Sequence, residues 1–400
     1  MKLLLGGVPL GCNNIGDEAI VDCVVGLLRK LVPDAEITVC TAARRETEAR
    51  IHVDTAPLFG FGPYPALKSF AEFVRDFDVY IWFGATGLSD YPETALELLR
   101  AARRAGVPSI VWGVGMKSVL NPAFYRVRGR RKKLLRMLSR FTFIDWVAVY
   151  EAALLRRTRR HLRRELSRCA LVVLRDQPSL REVQRCGVAD AIAGADTAIL
   201  QTSAPTPPLP EAPDAVRIGF CVSEQSVVND LDAIVALWDR LLEFPERRIA
   251  LIPMNPVTDR KLMLELAARS RHAERIECLE KTAPADVQAC AAQCRVLVSS
   301  RLHLLILGAN AGTPGIGIER GSKIANWLAN FGDTPAGSVD NCDFSGIERK
   351  VEAILARPDP EVRAEVRRVM TAMRKRLDDA AETLRRTLRE CAGKRERINR

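Results

Sequence analysis

No stretch of this 400-residue chain stays apolar long enough to cross a bilayer; its hydrophobic runs are short and broken by charge. A membrane-spanning helix is therefore excluded. The opening Met1-Lys2-Leu3-Leu4-Leu5-Gly6-Gly7 is too short for a secretory leader and runs into a Gly/Asn-rich loop. It reads as a first β-strand, and the expected location is the cytoplasm. Aromatic residues make up only 6% of the chain, and none interleaves with the arginines of 126–140 or 156–164. Stacking on exposed bases needs such interleaving, so nucleic acid is not an expected partner. There is no Cys-x-x-Cys pair. Of the eleven cysteines, Cys23, Cys40, Cys169 and Cys221 sit in apolar strand or helix patterns, and Cys290 and Cys294 lack His or Cys neighbours at zinc spacing. Reduced thiols serving as small hydrophobes fit this best. Neither a metal site nor a cofactor is expected.

What is present describes a soluble, enzyme-like chain: 48% hydrophobic and 27% charged residues, with a length that suits two domains. The net charge of +11 is concentrated between Arg126 and Arg168, in Arg128, Arg130, Arg131, Lys132, Lys133, Arg136 and Arg140, then Arg156, Arg157, Arg159, Arg160, Arg163 and Arg164. Such a run favours polyanions, an anionic membrane surface among them. Between its clusters, Phe141 to Leu155 is apolar and aromatic, and two readings stay open: a peripheral anchor at the inner face of the plasma membrane, or a core helix with solvated ends.

Short apolar strands alternate with helix-period segments. Strands are expected at Lys2–Leu5, Glu36–Cys40, Asp78–Phe83, Ser109–Trp112 and Leu171–Leu174, with helices such as Asp17–Leu31 and Thr94–Ala105 between them. A proline-rich stretch ends at Asp214, and the alternation restarts with strands Val216–Cys221, Ile249–Ile252, Val296–Ser299 and Gly315–Ile318. The expectation is α/β: two doubly wound Rossmann-like domains facing a cleft, at 1–200 (with a basic insertion at about 119–170) and 215–343, joined by a linker at 201–214. Residues 344–400 form a C-terminal helical extension, with an apolar stripe from Val362 through Val366, Val369, Met373, Leu377, Ala381 and Leu384 to Leu388.

The most informative segment is Cys294-Arg-Val-Leu-Val-Ser-Ser-Arg301-Leu302-His303, followed by Thr313-Pro-Gly-Ile-Gly-Ile-Glu319 and Lys323. A buried-type strand delivers Arg301 and His303 to the mouth of an apolar helix, and cations at a helix N-terminus form an anion site. His303 adds a group able to move a proton near neutrality, although a histidine there can equally be a hydrogen-bonded cap. After the first strand, Gly11-Cys-Asn13-Asn14-Ile-Gly16-Asp17-Glu18 does not fit G-x-G-x-x-G, and no acidic residue closes the second strand, so a dinucleotide is disfavoured. Asn14 and Asp17 are expected to face the cleft, with Asp17 as helix cap the competing reading.

The Asn-x-Gly-Asp-Glu-Ala loop and the Arg-Leu-His segment together resemble the polysaccharide pyruvyl transferase family. The similarity continues through Gly113-Val-Gly115, Val173-Leu-Arg175-Asp176…Ser179-Leu180, Ala195-Asp196-Thr-Ala198 and Thr313-Pro-Gly-Ile-Gly-Ile…Lys323. It implies a two-lobed fold like that of the GT-B glycosyltransferases. The implied reaction moves a pyruvyl group from phosphoenolpyruvate onto two hydroxyls of a sugar, lipid-linked or not, in a cell-surface glycan or its precursor. The product is a cyclic ketal, with phosphate released. Arg175 and Arg301 would clamp the donor's two anionic groups, His303 would be the acid and Asp17 the base. Lys323, Asn14, Glu319 and Gly87 complete the expected substrate contacts. Gly87 lies in Phe83-Gly84-Ala85-Thr86-Gly87, where the family usually has a Gly-Gly-Gly turn. Two other readings remain open on the sequence. One is a nucleotide-sugar glycosyltransferase in which Arg301 and Lys323 hold the diphosphate and Glu319 a ribose. The other is a non-catalytic binder of anionic glycan.

Overall fold

The computed structural model describes residues 1–62, 67–117, 125–206, 208–210, 215–225 and 227–398; parts of the expected linker and of the expected basic insertion lie outside them. Seven strands, β1 (Lys2–Gly6), β2 (Glu36–Thr41), β3 (Asp54–Pro57), β4 (Val79–Phe83), β5 (Ser109–Val114), β6 (Leu171–Leu174) and β7 (Ile192–Ala193), form one parallel sheet. Their order is β3-β2-β1-β4-β5-β6-β7. A second parallel sheet, ordered β10-β9-β8-β11-β12, holds β8 (Val216–Cys221), β9 (Arg247–Leu251), β10 (Ile276–Cys278), β11 (Val296–Ser299) and β12 (Gly315–Gly317). Both are Rossmann-like and covered by helices, which is why their central strands are continuous apolar runs: Val79 to Phe83 and Val296 to Ser299 are buried throughout. Trp82, Trp112 and Trp238 are the largest fully buried side chains.

In both sheets the chain reverses its winding direction beside the first strand, between β1 and β4 and between β8 and β11. At such a switch point the loops leaving adjacent strands diverge and open a crevice at the carboxyl edge. The two lobes turn these crevices toward one another. The lobes meet through polar contacts as well as packing: the Ile15 N–H donates to the Met254 carbonyl at 3.1 Å, and Gln288 Nε2 donates to the Gln201 carbonyl at 2.9 Å.

The chain ends in a helix at Phe344–Leu355 and a 40-residue helix at Asp359–Ile398. At 1.5 Å per residue the latter is about 60 Å long, enough to span both lobes. Near its start Arg363 donates to Thr313 Oγ1 (3.0 Å) and to the Cys294 carbonyl (2.8 Å) of the second lobe. Further along, the Ala380 methyl meets Gly194 of the first, where an added Cβ would come within 3.4 Å. The stripe is buried as the periodicity predicts at Val362, Val366, Met373, Leu377, Ala381, Leu384 and Leu388, with Met370 and Ala380 added and Val369 at its edge.

Candidate active site

A cleft of about 450 Å³ lies between the lobes. Its walls come from the switch-point loops: Pro9, Cys12 and Asn14 after β1, Ala85 and Thr86 after β4, Glu224 and Gln225 after β8, and Ser300 and Arg301 after β11. Asp17, Asp90, Tyr91, Arg175, Asn255, Thr258, His303, Arg320 and Lys323 complete the polar lining. Of the residues expected at a site, Asn14, Asp17, Arg175, Arg301, His303 and Lys323 thus share one cavity. Gly87 and Glu319 do not line it. Gly87 is buried behind the wall, where a Cβ would press on Trp82 and Tyr91 at 2.7 Å. The Glu319 carboxylate accepts the Arg320 N–H (3.0 Å) and the Ala325 N–H (2.6 Å), fixing the first turn of the helix Lys323–Leu328 on which Lys323 stands.

Asp17 is not a cap. The helix Ile15–Leu31 is capped by Asn14, whose Oδ1 accepts the Gly16 N–H at 3.2 Å, while its amide donates to Asp17 Oδ2 at 2.7 Å. The Asp17 carboxyl is buried, and desolvation raises its pKa against the opposing pull of His303, Lys323 and the Asn14 bond. His303 enters from the other lobe. Its ring lies against Gly16, where a Cβ would come within 2.8 Å of the His303 Cβ and closer still to the ring. His303 Nε2 stands 3.6 Å from Asp196 Oδ2, and both atoms are buried without a hydrogen-bond partner among the described residues. Burial pushes the Asp196 pKa up, but His303, Arg175 and the Ala198 N–H outweigh it, so the pKa falls below the usual range. The helix Leu302–Asn310 has no side-chain cap, which removes the capping reading of His303.

The cations are held in different ways. Arg175 is buried, donating from Nε to Asp176 Oδ2 (3.2 Å), with Nη1 3.6 Å from Asp196. Gly115 makes room for it, since a Cβ there would fall 2.6 Å from its Cζ. Arg301 makes a bidentate pair with the fully buried Asp259, at 3.0 Å from Nε and 2.8 Å from Nη2. Asp259 also accepts the Glu224 and Asn255 N–H groups, each at 3.0 Å, so it stitches three cleft loops together. Arg320 donates to Ser223 Oγ (3.0 Å); burial first, then Arg301, pulls its pKa down to about 10. Lys323 is half-buried, and burial followed by Lys117, Arg175 and Arg320 pushes its pKa down to about 8. Crowded, partly desolvated cations at a helix N-terminus create a field that favours an anion.

A family model for polysaccharide pyruvyl transferase matches residues 14–149 and 152–322. The chain belongs to that family. No curated protein sequence matches it significantly. Among solved structures, it is similar to a putative UDP-N-acetylglucosamine 2-epimerase from Listeria monocytogenes (TM-score 0.59, 11% identity, 91% of this chain and 90% of that one). It is also similar to Anabaena Alr3699/HepE in complex with UDP-glucose (0.58, 12%, 98% and 100%). A third is UDP-GlcNAc 2-epimerase from Neisseria meningitidis bound to UDP-GlcNAc (0.59, 12%, 98% and 100%). At such identity these show the fold, which is GT-B-like.

Sequence reasoning did not place three residues of this candidate site. Asp196 sits in a matched family segment but carried no assigned role. Arg320 lies inside the run from Glu319 to Lys323, where its charge alone was a signal. Asp259 opens the helix Thr258–Ala267, a position that ordinarily reads as an N-terminal acidic residue. Among the described residues no group of three or more His, Cys, Asp or Glu side chains could hold a metal ion.

Proposed function

We propose that this family member transfers the pyruvyl group of phosphoenolpyruvate onto two hydroxyls of one sugar, in a cell-surface glycan or its precursor, on the cytoplasmic side of the membrane. The observation that carries this reading is the convergence of Arg175, Arg301, Arg320 and Lys323 on one cleft that also holds a buried carboxyl and an imidazole from opposite lobes. Phosphoenolpyruvate bears its phosphate ester and its carboxylate on the same carbon, and four cations suit two such groups. In the forward step His303 gives a proton to the methylene carbon, and a sugar hydroxyl, relieved of its proton by Asp17, bonds to the adjacent carbon. Phosphate then leaves, taking up the second hydroxyl's proton as that oxygen closes the ketal. Asp196, kept anionic, stabilises the imidazolium that must precede transfer. The second lobe supplies Arg301, Arg320 and Lys323 to the donor, with Arg175 reaching it from the first lobe, which otherwise serves the acceptor.

The test is phosphate release from phosphoenolpyruvate in the presence of candidate sugars, with mass spectrometry of the sugar product. His303→Gln should keep donor binding and its melting temperature while turnover falls by roughly two to four orders of magnitude. Turnover of a nucleotide sugar in place of phosphoenolpyruvate, or full activity in His303→Gln, refutes the reading.

A further inference from the structure

The crossover from β5 to β6 carries two helices, Gly129–Thr142 and Trp146–Leu166, that the sheet does not need. The first buries no residue. The second buries only Leu162, Glu165 and Leu166 at its far end, where Glu165 pairs with Arg100 and Arg103 at 3.3 Å. Leu155 is partly buried against the core, but Phe141, Phe143, Ile144, Val149 and Tyr150 are exposed on an antiparallel hairpin, so a core helix does not describe this segment. Its tip is nevertheless built: Asp145 accepts the Ala148 N–H (3.0 Å), Ser139 Oγ accepts the Trp146 N–H (3.0 Å), and Trp146 Nε1 donates to Thr142 Oγ1 (2.6 Å).

Leu134, Met137, Leu138 and Phe141 fall at i, i+3, i+4 and i+7, one stripe of the first helix. All four are exposed, Phe141 by 77%, and the stripe runs into Phe143, which is 100% exposed, and Ile144. Phe143 adopts φ 57°, a left-handed conformation unusual for a bulky residue, which holds its ring out at the turn. Around this apolar strip, residues 126–168 hold fifteen arginines and lysines against three carboxylates, an excess larger than the net charge of the whole chain. Among the described residues, the ion pair made by an arginine of these two helices is that of Arg164 with Glu165.

We propose that this hairpin docks the protein onto an anionic lipid bilayer, with Phe141, Phe143 and Ile144 at headgroup depth and the flanking arginines on lipid phosphates. Charge decides the occupant. A second copy would bring two strongly basic surfaces together, and their repulsion opposes that contact. Nucleic acid needs rings interleaved with cations, whereas here the rings are gathered at the tip and along one stripe. An interfacial anchor needs this separation: an apolar strip entering the boundary and a basic border on anionic headgroups. No helix among the described residues is long and apolar enough to cross a membrane, so the contact is peripheral. The hairpin segment leaves the sheet at the carboxyl edge of β5, where Lys117 pairs with Asp90 on the cleft wall at 2.6 Å.

Flotation of the full chain with vesicles tests this independently of the donor reaction. The probes are phosphatidylcholine alone and phosphatidylcholine mixed with phosphatidylglycerol. Binding should require the anionic lipid and weaken with added salt. Replacing Arg130, Arg131, Lys133 and Arg136 by Gln should reduce partitioning on the order of several hundredfold, at roughly fivefold per charge. Phe141→Ser with Phe143→Ser should cost at least about tenfold. These side chains are exposed, so unchanged melting shows that the fold survives. Equal partitioning onto both vesicle types, no binding to either, or a concentration-dependent dimer abolished by Phe143→Ser overturns the proposal.

Discussion

Asp259→Asn removes a fully buried charge behind the cleft lining, yet it should disable the site. Asp259 is fully buried and accepts four hydrogen bonds, from Arg301 Nε and Nη2 and from the Glu224 and Asn255 N–H groups. An Asn there keeps one acceptor oxygen and turns an NH2 toward donors, so at least one backbone N–H and one guanidinium arm lose their partner. Breaking a buried pair by removing one charge costs about 3–5 kcal/mol. For a lobe of this size that corresponds to a fall in melting temperature of roughly 10 °C. Arg301, no longer held, should lose its fixed aim at the donor, and kcat/KM for phosphoenolpyruvate should drop on the order of a hundredfold or more. Calorimetry and steady-state phosphate release on the same variant measure both. An Asp259→Asn protein that melts normally and turns over normally refutes the argument, because the pair would then contribute neither to the fold nor to aim.

Gly16→Ala should raise the helix propensity of Ile15–Leu31 yet lower activity, because the new methyl overlaps the His303 ring across the lobe boundary. Turnover falling about a hundredfold with secondary structure retained is the expected outcome, and normal turnover counts against the placement of His303. Lys323, with its pKa near 8 in the empty cleft, should gain a proton when an anion binds. Calorimetric titration with phosphoenolpyruvate at slightly alkaline pH, in buffers of different ionisation heat, should therefore show proton uptake, and affinity should fall as pH rises through 8. The sign is opposite for stability of the empty protein. The fold disfavours the charged lysine, so stability rises between the folded value near 8 and the unfolded value of about 10.4. Affinity that ignores pH across that range would remove Lys323 from the donor site.

The inner strands were legible because each is largely apolar: Leu171–Leu174, Val216–Cys221 (broken only by Arg217) and Val296–Ser299 fall where the sequence puts them. The strands that were not legible are short or mixed. β3 reads Asp-Thr-Ala-Pro, β7 has two residues, and β10 lies behind a polar turn. Their identity comes from the neighbour they pair with, which no local pattern encodes. The site divides along the same line. Arg175, Arg301 and His303 could be read because strand–helix junctions bring their side chains to the carboxyl edge. The tie between Arg301 and Asp259, 42 positions apart, depends on which loops the second sheet sets side by side. For the basic segment the amphipathic pattern was legible but its partner was not, since burial is a property of what surrounds a helix.

The acid–base groups of the proposed mechanism are split between lobes, and that placement gives each carboxyl its proposed task. Asp17 sits on the first lobe and His303 on the second, with Asp196, at the end of the first lobe, reaching His303 at 3.6 Å. Both carboxyls are buried, so desolvation pushes both pKa values up, and the groups beside each one decide the outcome. Asp196 has His303 and Arg175 beside it, and its pKa falls below the usual range, so in the proposed mechanism it is the anion beside the imidazole. Asp17 has a neutral amide as its bonded partner, and its raised pKa makes it a better acceptor of a hydroxyl proton than an exposed carboxylate. This division of labour survives only while the lobes keep their spacing. The bare Cα of Gly16 under the His303 ring sets how closely they approach, and the long C-terminal helix, anchored by Arg363 on one lobe and packed at Ala380 on the other, sets how far they can part.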